Sequence, residues 1–246
     1  MNPAPSPRVP VGMGSALPRL LRLALAVAAA AAVGVPGSAA AADAGLACGD
    51  AVATALQRRY ESVRDLSARF EQTTKSAALG GPGSETRSSG RLVFAKPGRM
   101  RWSYEAPEPS LVVSDGKLLW IYDPERREVQ RLSVTEQYLS GAAVSFLFGE
   151  GKLSRDFEVR ALACGDAEAT LELVPREPAT YEKLRARIDP RSGELLATTV
   201  TDLLGNETTV ALSETRVNQA PKAELFRFEV PEGAQVIDLD AAKAQP

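Results

Sequence analysis

The sequence predicts an α+β protein whose main element is a large, curved antiparallel sheet. Three observations support this class. A helical pattern stands early in the chain, many segments of alternating apolar and polar residues follow it, and one further helical pattern interrupts them. Turn signals such as DPER, PRSGE, LLGN and PEG separate the alternating segments, so most connections between strands are short.

The first 42 residues have the pattern of a cleaved signal peptide. Arg8, Arg19 and Arg22 form a positive region, residues 23–35 form an apolar run, and the small residues of SAAAAD predict cleavage after Ala42. The run is short for a membrane span, and small residues follow it where a stop-transfer segment would be positive. We therefore expect an exported protein with one domain over residues 43–240 and a flexible tail at 241–246.

The first predicted element of the domain is a helix. In DAVATALQRRYESV, the residues Val52, Leu56, Tyr60 and Val63 recur at helical spacing, and Asp50 is the candidate N-cap. The period then changes to two in LSARFEQT, which predicts the first strand. The Gly- and Ser-rich segment LGGPGSETRSSG is expected to be a mobile loop between strands.

The rest of the chain is mostly predicted strand. Residues 90–124 predict four strands, REVQRLSV predicts a fifth, and TEQYLSGAAVSFLFGEG predicts a short amphipathic helix after it. Six more strands are expected after this helix: DFEVRAL, EATLELVP, KLRARID, LLATTVTD, ETTVALSET and LFRFEV. In RMRWSYE the apolar residues Met100, Trp102 and Tyr104 share a face, whereas in KLLWIYD both faces are apolar. A packed core explains most such residues singly, but together they indicate a cleft between sheet and helices.

The composition argues against several classes of function. The formal net charge is −2 without a basic patch, which argues against nucleic-acid binding. The chain has no histidine, which excludes His-dependent triads and His-metal sites, and no G-x-S-x-G elbow is present. Asp115 in SDG reads most simply as a turn former. We therefore expect no enzyme, no metal and no cofactor.

The two cysteines, Cys48 and Cys164, allow two interpretations. In an oxidising compartment a pair most simply forms a disulfide, which closes a loop of roughly 115 residues and stabilises by about 4 to 5 kcal/mol in the chain-entropy model. The alternative takes GLAC as a lipobox with Cys48 as a lipidated N-terminus. Gly45 stands where that motif expects leucine, which weakens the alternative.

One long stretch resembles a known family. The segment RLVFAKPGRMRWSYEAPEPSLVVSDGKLLWIYDP is similar to the signature region of the LolA family, periplasmic carriers of outer-membrane lipoproteins. LSARFEQT resembles the first strand of the family, and LFRFEVPEGAQVID resembles its last strand and following turn. The VSDGKLLWIYDP block is the most specific part of this resemblance.

The resemblance implies an unclosed β-barrel whose mouth is covered by lid helices over a hydrophobic cavity. The lid elements would be residues 52–63 and 137–148. The residues expected to line the cavity are Phe70, Leu92, Phe94, Met100, Trp102, Leu111, Val113, Leu118, Trp120 and Phe146.

The sequence departs from the family at one position of interest. Family members carry arginine before the proline of the second-strand motif, where it holds the lid through hydrogen bonds to its backbone, and here Lys96 precedes Pro97. A lysine offers three donors from one point instead of a planar fork, so we expect a less rigid hold on lid carbonyls. The alternative is a solvated lysine at a strand end.

The function implied by the resemblance is a monomeric periplasmic carrier that binds lipoprotein acyl chains and shuttles them from the inner to the outer membrane. Its implied partner is an inner-membrane lipoprotein-releasing ABC transporter, and whether an outer-membrane receptor follows it is left open. Two alternative functions also stay open. One is an outer-membrane-anchored receptor of the same fold, which requires an acylated Cys48, and the other is a carrier of free lipids. A purely structural envelope module that binds no lipid is a third, plainer possibility.

Overall fold

The computed structural model describes residues 38–79, 84–134 and 152–243. Helix α1 spans Ser38–Ser62, the short helix α2 spans Leu153–Asp156, a 3₁₀ helix spans Ala223–Phe226, and α3 spans Leu239–Lys243. Within these described ranges, the helices lack the combination of length and apolar character that crossing a membrane requires.

Twelve strands form a single unclosed, curved sheet. They are β1 (Asp65–Lys75), β2 (Glu85–Ala95), β3 (Arg99–Ala106), β4 (Ser110–Asp115), β5 (Leu118–Asp123), β6 (Glu128–Ser133), β7 (Phe157–Cys164), β8 (Ala169–Pro175), β9 (Tyr181–Ile188), β10 (Leu195–Asp202), β11 (Glu207–Val217) and β12 (Gln235–Asp238). Their spatial order is β12-β6-β5-β4-β3-β2-β1-β11-β10-β9-β8-β7, so β12 and β7 are the two edges. Neighbours pair antiparallel, except that β12 lies parallel to β6. The predicted fold class is confirmed.

The register of β1, β2 and β3 defines an inner face. Leu92 lies opposite Ala68 on one side and Trp102 on the other, and Phe94 lies opposite Met100. Directly opposed residues of an antiparallel pair point to the same face, so these apolar side chains form one continuous surface. Helix α1 and the residue after it cover part of this surface with the four residues that the helical spacing indicated, each at most 3% exposed: Val52, Leu56, Tyr60 and Val63.

The turn β2–β3 and the turn β4–β5 meet at one corner of the sheet. Ser114 is 1% exposed, and its hydroxyl donates to the carbonyl of Gly98 at 2.9 Å. Gly116 has φ +95, and a Cβ there would lie 3.0 Å from the carbonyl oxygen of Pro97, so only glycine fits. Asp115 accepts hydrogen bonds from the backbone N–H groups of Lys117 and Leu118, which confirms it as a turn former.

One predicted strand is absent, one strand begins earlier than expected, and β12 lies in a segment that was expected to be a turn. The segment LFRFEV is not a strand: it begins within the 3₁₀ helix and continues without strand pairing to residue 230. Strand β2 begins at Glu85, inside the segment expected to be a loop.

The helices also differ from expectation at their ends. Asp50 lies within α1 and is not its N-cap, because the helix begins at Ser38. Helix α3 continues to Lys243, inside the segment expected to be a tail. The second predicted lid helix, residues 137–148, lies outside the described residues.

Candidate functional site

The inner face of strands β1–β3 carries a cluster of aromatic side chains. The ring of Phe70 lies 5.0 Å from that of Trp102 and 5.1 Å from that of Tyr104, in edge-to-face arrangements. Phe94 meets Trp102 edge-on at 5.9 Å. The Trp102 Nε1 atom is buried and has no hydrogen-bond partner, while the hydroxyl of Tyr104 donates to Gln72 at 3.1 Å. Burial raises the pKa of Tyr104 above its ordinary value, so its hydroxyl stays neutral.

Five of the residues expected to line the cavity lie together on this face. Phe70, Leu92 and Phe94 are at most 3% exposed, and Met100 and Trp102 are half-buried against them. The expected lining residue Phe146 lies outside the described residues.

The other four expected residues lie on the opposite face of the sheet, which corrects the sequence-based assignment. Trp102 pairs with Val112, so Val112 points inward, whereas Val113 pairs with Arg101 on the outer face. Trp120 in turn pairs with Val113 and shares its face. The same register places Leu111 and Leu118 outward. These four residues share one face of the sheet. The prediction assigned the wrong face to β4 and β5 because it misjudged by one residue how the alternation of β3 continues after the turn into β4.

The C-terminal segment explains why this outer face is apolar. Phe226 is 1% exposed, with the Arg99 guanidinium 5.2 Å from its ring centre. The ring of Phe228 stacks on Trp120 at 6.1 Å and lies 5.9 Å from Tyr122. The segment that was predicted as the last strand therefore covers the outer face of β3–β5. Val113, with no exposed surface, belongs to this outer packing and not to the cavity.

Under α1 the space between helix and sheet is filled by protein side chains. An apolar pocket of about 20 Å³ lies between α1, α2 and strands β7–β10. It is lined by Leu56, Leu153, Phe157, Leu173, Leu184, Arg185, Ala186, Leu195 and Thr198. For comparison, a dry apolar cavity that binds benzene has a volume of about 150 Å³. This space is too small for an acyl chain, whereas an open groove of about 480 Å³, with polar and apolar lining residues, lies between α1, α2 and β7.

One end of the part of α1 whose side chains are described is fixed covalently. Cys48 forms a disulfide with Cys164 at the end of β7, which confirms the predicted bond. Gly49 is buried beside Ala161, and a Cβ at Gly49 would lie 3.3 Å from the Cβ of Ala161. The helix is therefore held tightly against β7 at this end.

The other end of α1 is held by Lys96. Its Nζ donates to the backbone carbonyl of Tyr60 at 2.7 Å, and its own backbone N–H donates to the carbonyl of Arg64 at 2.8 Å. Tyr60 lies in the last turn of α1, where carbonyls lack intrahelical partners and the helix dipole is negative. The Lys96 ammonium donates a hydrogen bond to one of these carbonyls and places a positive charge at the negative end of the dipole. Lys96 therefore caps the C-terminus of α1.

The turn between β9 and β10 supports α1 from Ala55 to its last turn. Gly193 has φ +69, and a Cβ there would lie 2.4 Å from the carbonyl oxygen of Ala55, so glycine is required for this approach. Arg59 and Glu194 form an ion pair at 3.4 Å. Burial raises the pKa of Tyr60 to about 12, against the opposing effect of its hydrogen bond with the backbone of Leu195.

Strands β8 and β9 supply a part of the inner face that the sequence-based list of lining residues does not include. Strands β8 and β9 contribute six residues at most 4% exposed: Ala169, Leu171, Leu173, Leu184, Ala186 and Ile188. The alternation in EATLELVP and KLRARID marks these residues, so the signal was available. In the described part of the chain, no cluster of three or more Cys, Asp or Glu side chains has the arrangement of a metal site.

The chain matches one family of known proteins over most of its length. The family model "Outer membrane lipoprotein carrier protein LolA" matches residues 61–229. An outer-membrane lipoprotein carrier protein of Chromobacterium violaceum is 32% identical over 206 residues, covering 82% of this chain and 96% of the relative. One of Cupriavidus taiwanensis is 35% identical over 179 residues, covering 70% and 81%.

A solved structure of a LolA superfamily protein from Nitrosomonas europaea matches at a TM-score of 0.39 and 15% identity, covering 72% of this chain and 97% of that one. This superposition is too distant to inform the site. The family assignment rests instead on the model match over more than half of the chain and on the two carriers above. This chain belongs to the LolA family of outer membrane lipoprotein carrier proteins.

Proposed function

We propose that this protein is a periplasmic carrier that shields the acyl chains of lipoproteins on their way from the inner to the outer membrane. The observation that carries the proposal is the inner apolar face, covered by a helix that is covalently fixed near Cys48 and held by a lysine at Tyr60. A helix attached in this way can leave the face at one end without leaving the protein.

The energetics suit a reversible exchange. An acyl chain of about fifteen methylenes costs on the order of 12 kcal/mol to expose to water, at about 0.8 kcal/mol for each methylene. Displacing α1 exposes Val52, Leu56, Tyr60 and Val63, at roughly 1.5 to 3 kcal/mol each, or roughly 6 to 12 kcal/mol in all. Because the two terms are similar, cargo can replace the helix on the inner face and the helix can later replace the cargo.

The unpaired Nε1 donor of Trp102 adds a polar element to this face. A buried donor without a partner costs roughly 1 to 3 kcal/mol, and a bound ligand that accepts its hydrogen bond would recover that cost. The ester carbonyl of an acyl chain is such an acceptor. Carriage of an esterified lipid therefore fits the aromatic cluster better than carriage of a plain hydrocarbon.

The partners in this proposal are those of the transport route. An inner-membrane ABC transporter would supply the cargo and the energy, and an outer-membrane receptor could accept it. The disulfide supports export to an oxidising compartment. It also argues against the anchored-receptor alternative, because a sulfur bonded to Cys164 cannot carry a thioether-linked lipid.

The test compares two tryptophans on opposite faces. Trp102→Glu places a charge on the inner face, and we expect it to abolish uptake of lipoproteins released from inner-membrane vesicles. Trp120→Glu is the matched control, because the same change on the outer face should leave uptake intact. Both variants are first checked for cooperative thermal unfolding. Normal uptake by a folded Trp102→Glu protein would contradict the proposal.

A second measurement separates lipoprotein cargo from free lipid. The protein is purified from its own envelope without detergent, and the bound material is extracted and identified by mass spectrometry. Acylated peptides support the lipoprotein carrier. Free phospholipid without acylated peptide would favour the alternative of a general lipid carrier.

A further inference from the structure

The hairpin between β10 and β11 ends in two adjacent, strongly exposed leucines. Leu203 is 68% exposed and Leu204 is 81% exposed. Leu79, after the end of β1, is 62% exposed. These are the three most exposed large apolar side chains among the described residues. Exposed leucines that occur singly are normal, so what matters is whether these three lie together.

Two contacts place them at the same end of the sheet. The backbone N–H of Ala77 donates to the side-chain oxygen of Asn206 at 3.0 Å, which joins the segment after β1 to the start of β11. A Cβ at Gly205 would lie 3.4 Å from the Cβ of Ala77. The segment that bears Leu79 therefore lies against the turn that bears Leu203 and Leu204, and we call these three residues the leucine tip.

The conformation of the turn is fixed by groups other than the leucines. The carbonyl of Asp202 accepts from the N–H of Gly205 at 3.0 Å, so Leu203 and Leu204 occupy the two central positions of a β-turn. The Asp202 carboxylate accepts from the N–H groups of Leu204 and Asn206, and the hydrogen bonds from Asn206 and its neighbours hold the pKa of Asp202 below its usual value. Central turn positions usually carry polar residues, and nothing in this geometry requires leucine.

The charges around the leucine tip are balanced by ion pairs. Glu85 lies 3.8 Å from the ammonium of Lys75 and 2.7 Å from the guanidinium of Arg87. Glu207 lies 3.5 Å from the guanidinium of Arg185. A surface of this kind offers no strong field to a charged protein partner or to anionic headgroups in particular. The surface instead presents a small group of exposed apolar side chains, two of them on a turn that is held by hydrogen bonds.

From these observations we propose that the leucine tip is a membrane-contact site that inserts into the interfacial region of a lipid bilayer. A bilayer can receive an exposed apolar tip because leucine side chains gain free energy when they leave water for the boundary between headgroups and acyl chains. Two or three leucines give weak, reversible binding, which suits a protein that must approach a membrane and leave it. The leucine tip lies beyond Lys75 at one end of β1, whereas Lys96 lies near Asp65 at the other end. The two ends of β1 are ten residues, or about 34 Å, apart along the strand.

The test uses purified protein and phosphatidylcholine vesicles in a sedimentation assay. We expect wild type to bind them weakly, and Leu203→Ser with Leu204→Ser to lower the partition coefficient about 100-fold, at roughly tenfold for each leucine. Leu203→Met with Leu204→Met should keep the binding, because methionine is also apolar. Leu162→Ser is the matched control, since Leu162 is 51% exposed on β7, away from the tip.

Three results of the vesicle assay would overturn the proposal. They are undiminished binding by the double serine variant, equal loss in the Leu162→Ser control, and binding that needs anionic lipid and disappears at high salt. Capture of a membrane protein by the tip, with no binding to protein-free vesicles, would also overturn it in favour of a protein partner. The assay contains no lipoprotein, so its outcome is independent of the proposed cargo binding.

Discussion

The two ends of the described part of α1 are attached to the sheet by different means. Near Cys48 a covalent bond joins the helix to β7, and it survives any thermal fluctuation of the fold. At Tyr60 the attachment is non-covalent: the Lys96 ammonium donates to the Tyr60 carbonyl at 2.7 Å, and the Tyr60 side chain hydrogen-bonds the backbone of Leu195. A hydrogen bond to a charged group contributes about 1.5 to 3 kcal/mol. We therefore call the end at Cys48 the permanent end of α1 and the end at Tyr60 the releasable end.

The largest expected effect comes from cutting the permanent end. Cys48→Ser with Cys164→Ser removes the constraint on a loop of sequence separation 116. In the chain-entropy model this lowers the free energy of unfolding by about 4 to 5 kcal/mol. Urea unfolding of the variant and of wild type measures the loss, and reduced wild type serves as the control. A loss under about 1 kcal/mol would show that this end is held mainly by packing.

A smaller effect is expected from the hydroxyl of Tyr60, which is buried in the last turn of α1. Its folded pKa is about 12 and its ordinary value is 10.0, so in this interval the folded state keeps a proton that the unfolded state loses. Stability is then full below pH 10 and falls as the pH rises towards 12, by about 2 to 3 kcal/mol in all.

The comparison with Tyr60→Phe isolates this residue from the other tyrosines. The variant keeps the ring and loses the titrating group, so its stability should fall less steeply between pH 10 and pH 12. Thermal or urea unfolding at about pH 9, 10 and 11 measures the two slopes. Parallel curves for the variant and wild type would mean that Tyr60 does not titrate with folding.

The smallest expected effect on stability comes from the releasable end. Lys96→Met removes the cation and keeps an apolar stem, and we expect the free energy of unfolding to fall by about 1.5 kcal/mol, the low end of the range for a hydrogen bond to a charged group. Hydrogen exchange should accelerate at the amides of residues 57–62 and stay unchanged near Cys48. Lys96→Arg is the control, because its guanidinium can still donate to the Tyr60 carbonyl.

Hydrogen exchange in Lys96→Met also tests whether the two ends of α1 are released separately. If exchange accelerates equally along the whole of α1, the helix is released as one unit and the distinction between its ends fails. If Lys96→Met alters the transfer of lipoproteins while the cysteine variant alters mainly stability, the hold of Lys96 on α1 is part of the transfer step.

Eleven of the twelve strands could be predicted from the sequence, but β12 and the face of β4 and β5 could not. Both strands are apolar on both sides, so alternation is compatible with either orientation. The pairing of Trp102 with Val112 settles it, and a shift of one residue would have turned Trp120 inward. Register depends on the turn between β3 and β4, whose geometry alternation does not encode.

The C-terminal segment failed for a related reason. LFRFEV alternates as a strand does, but its phenylalanines pack against the outer face of β3–β5 without joining a ladder. Alternation reports that every second side chain is buried. It does not report whether the backbone between them pairs with another strand or only lies across one.

Most strands, the helical spacing of α1, the turn at SDG and the family could be predicted from the sequence. Each of these depends on a local pattern or on a specific motif. The tertiary structure alone decided which apolar face lies inside and that α1 fills the space beneath it. It also decided that Lys96 meets Tyr60. These outcomes depend on the register between strands and on contacts such as this one, between residues 36 positions apart, which no local pattern fixes.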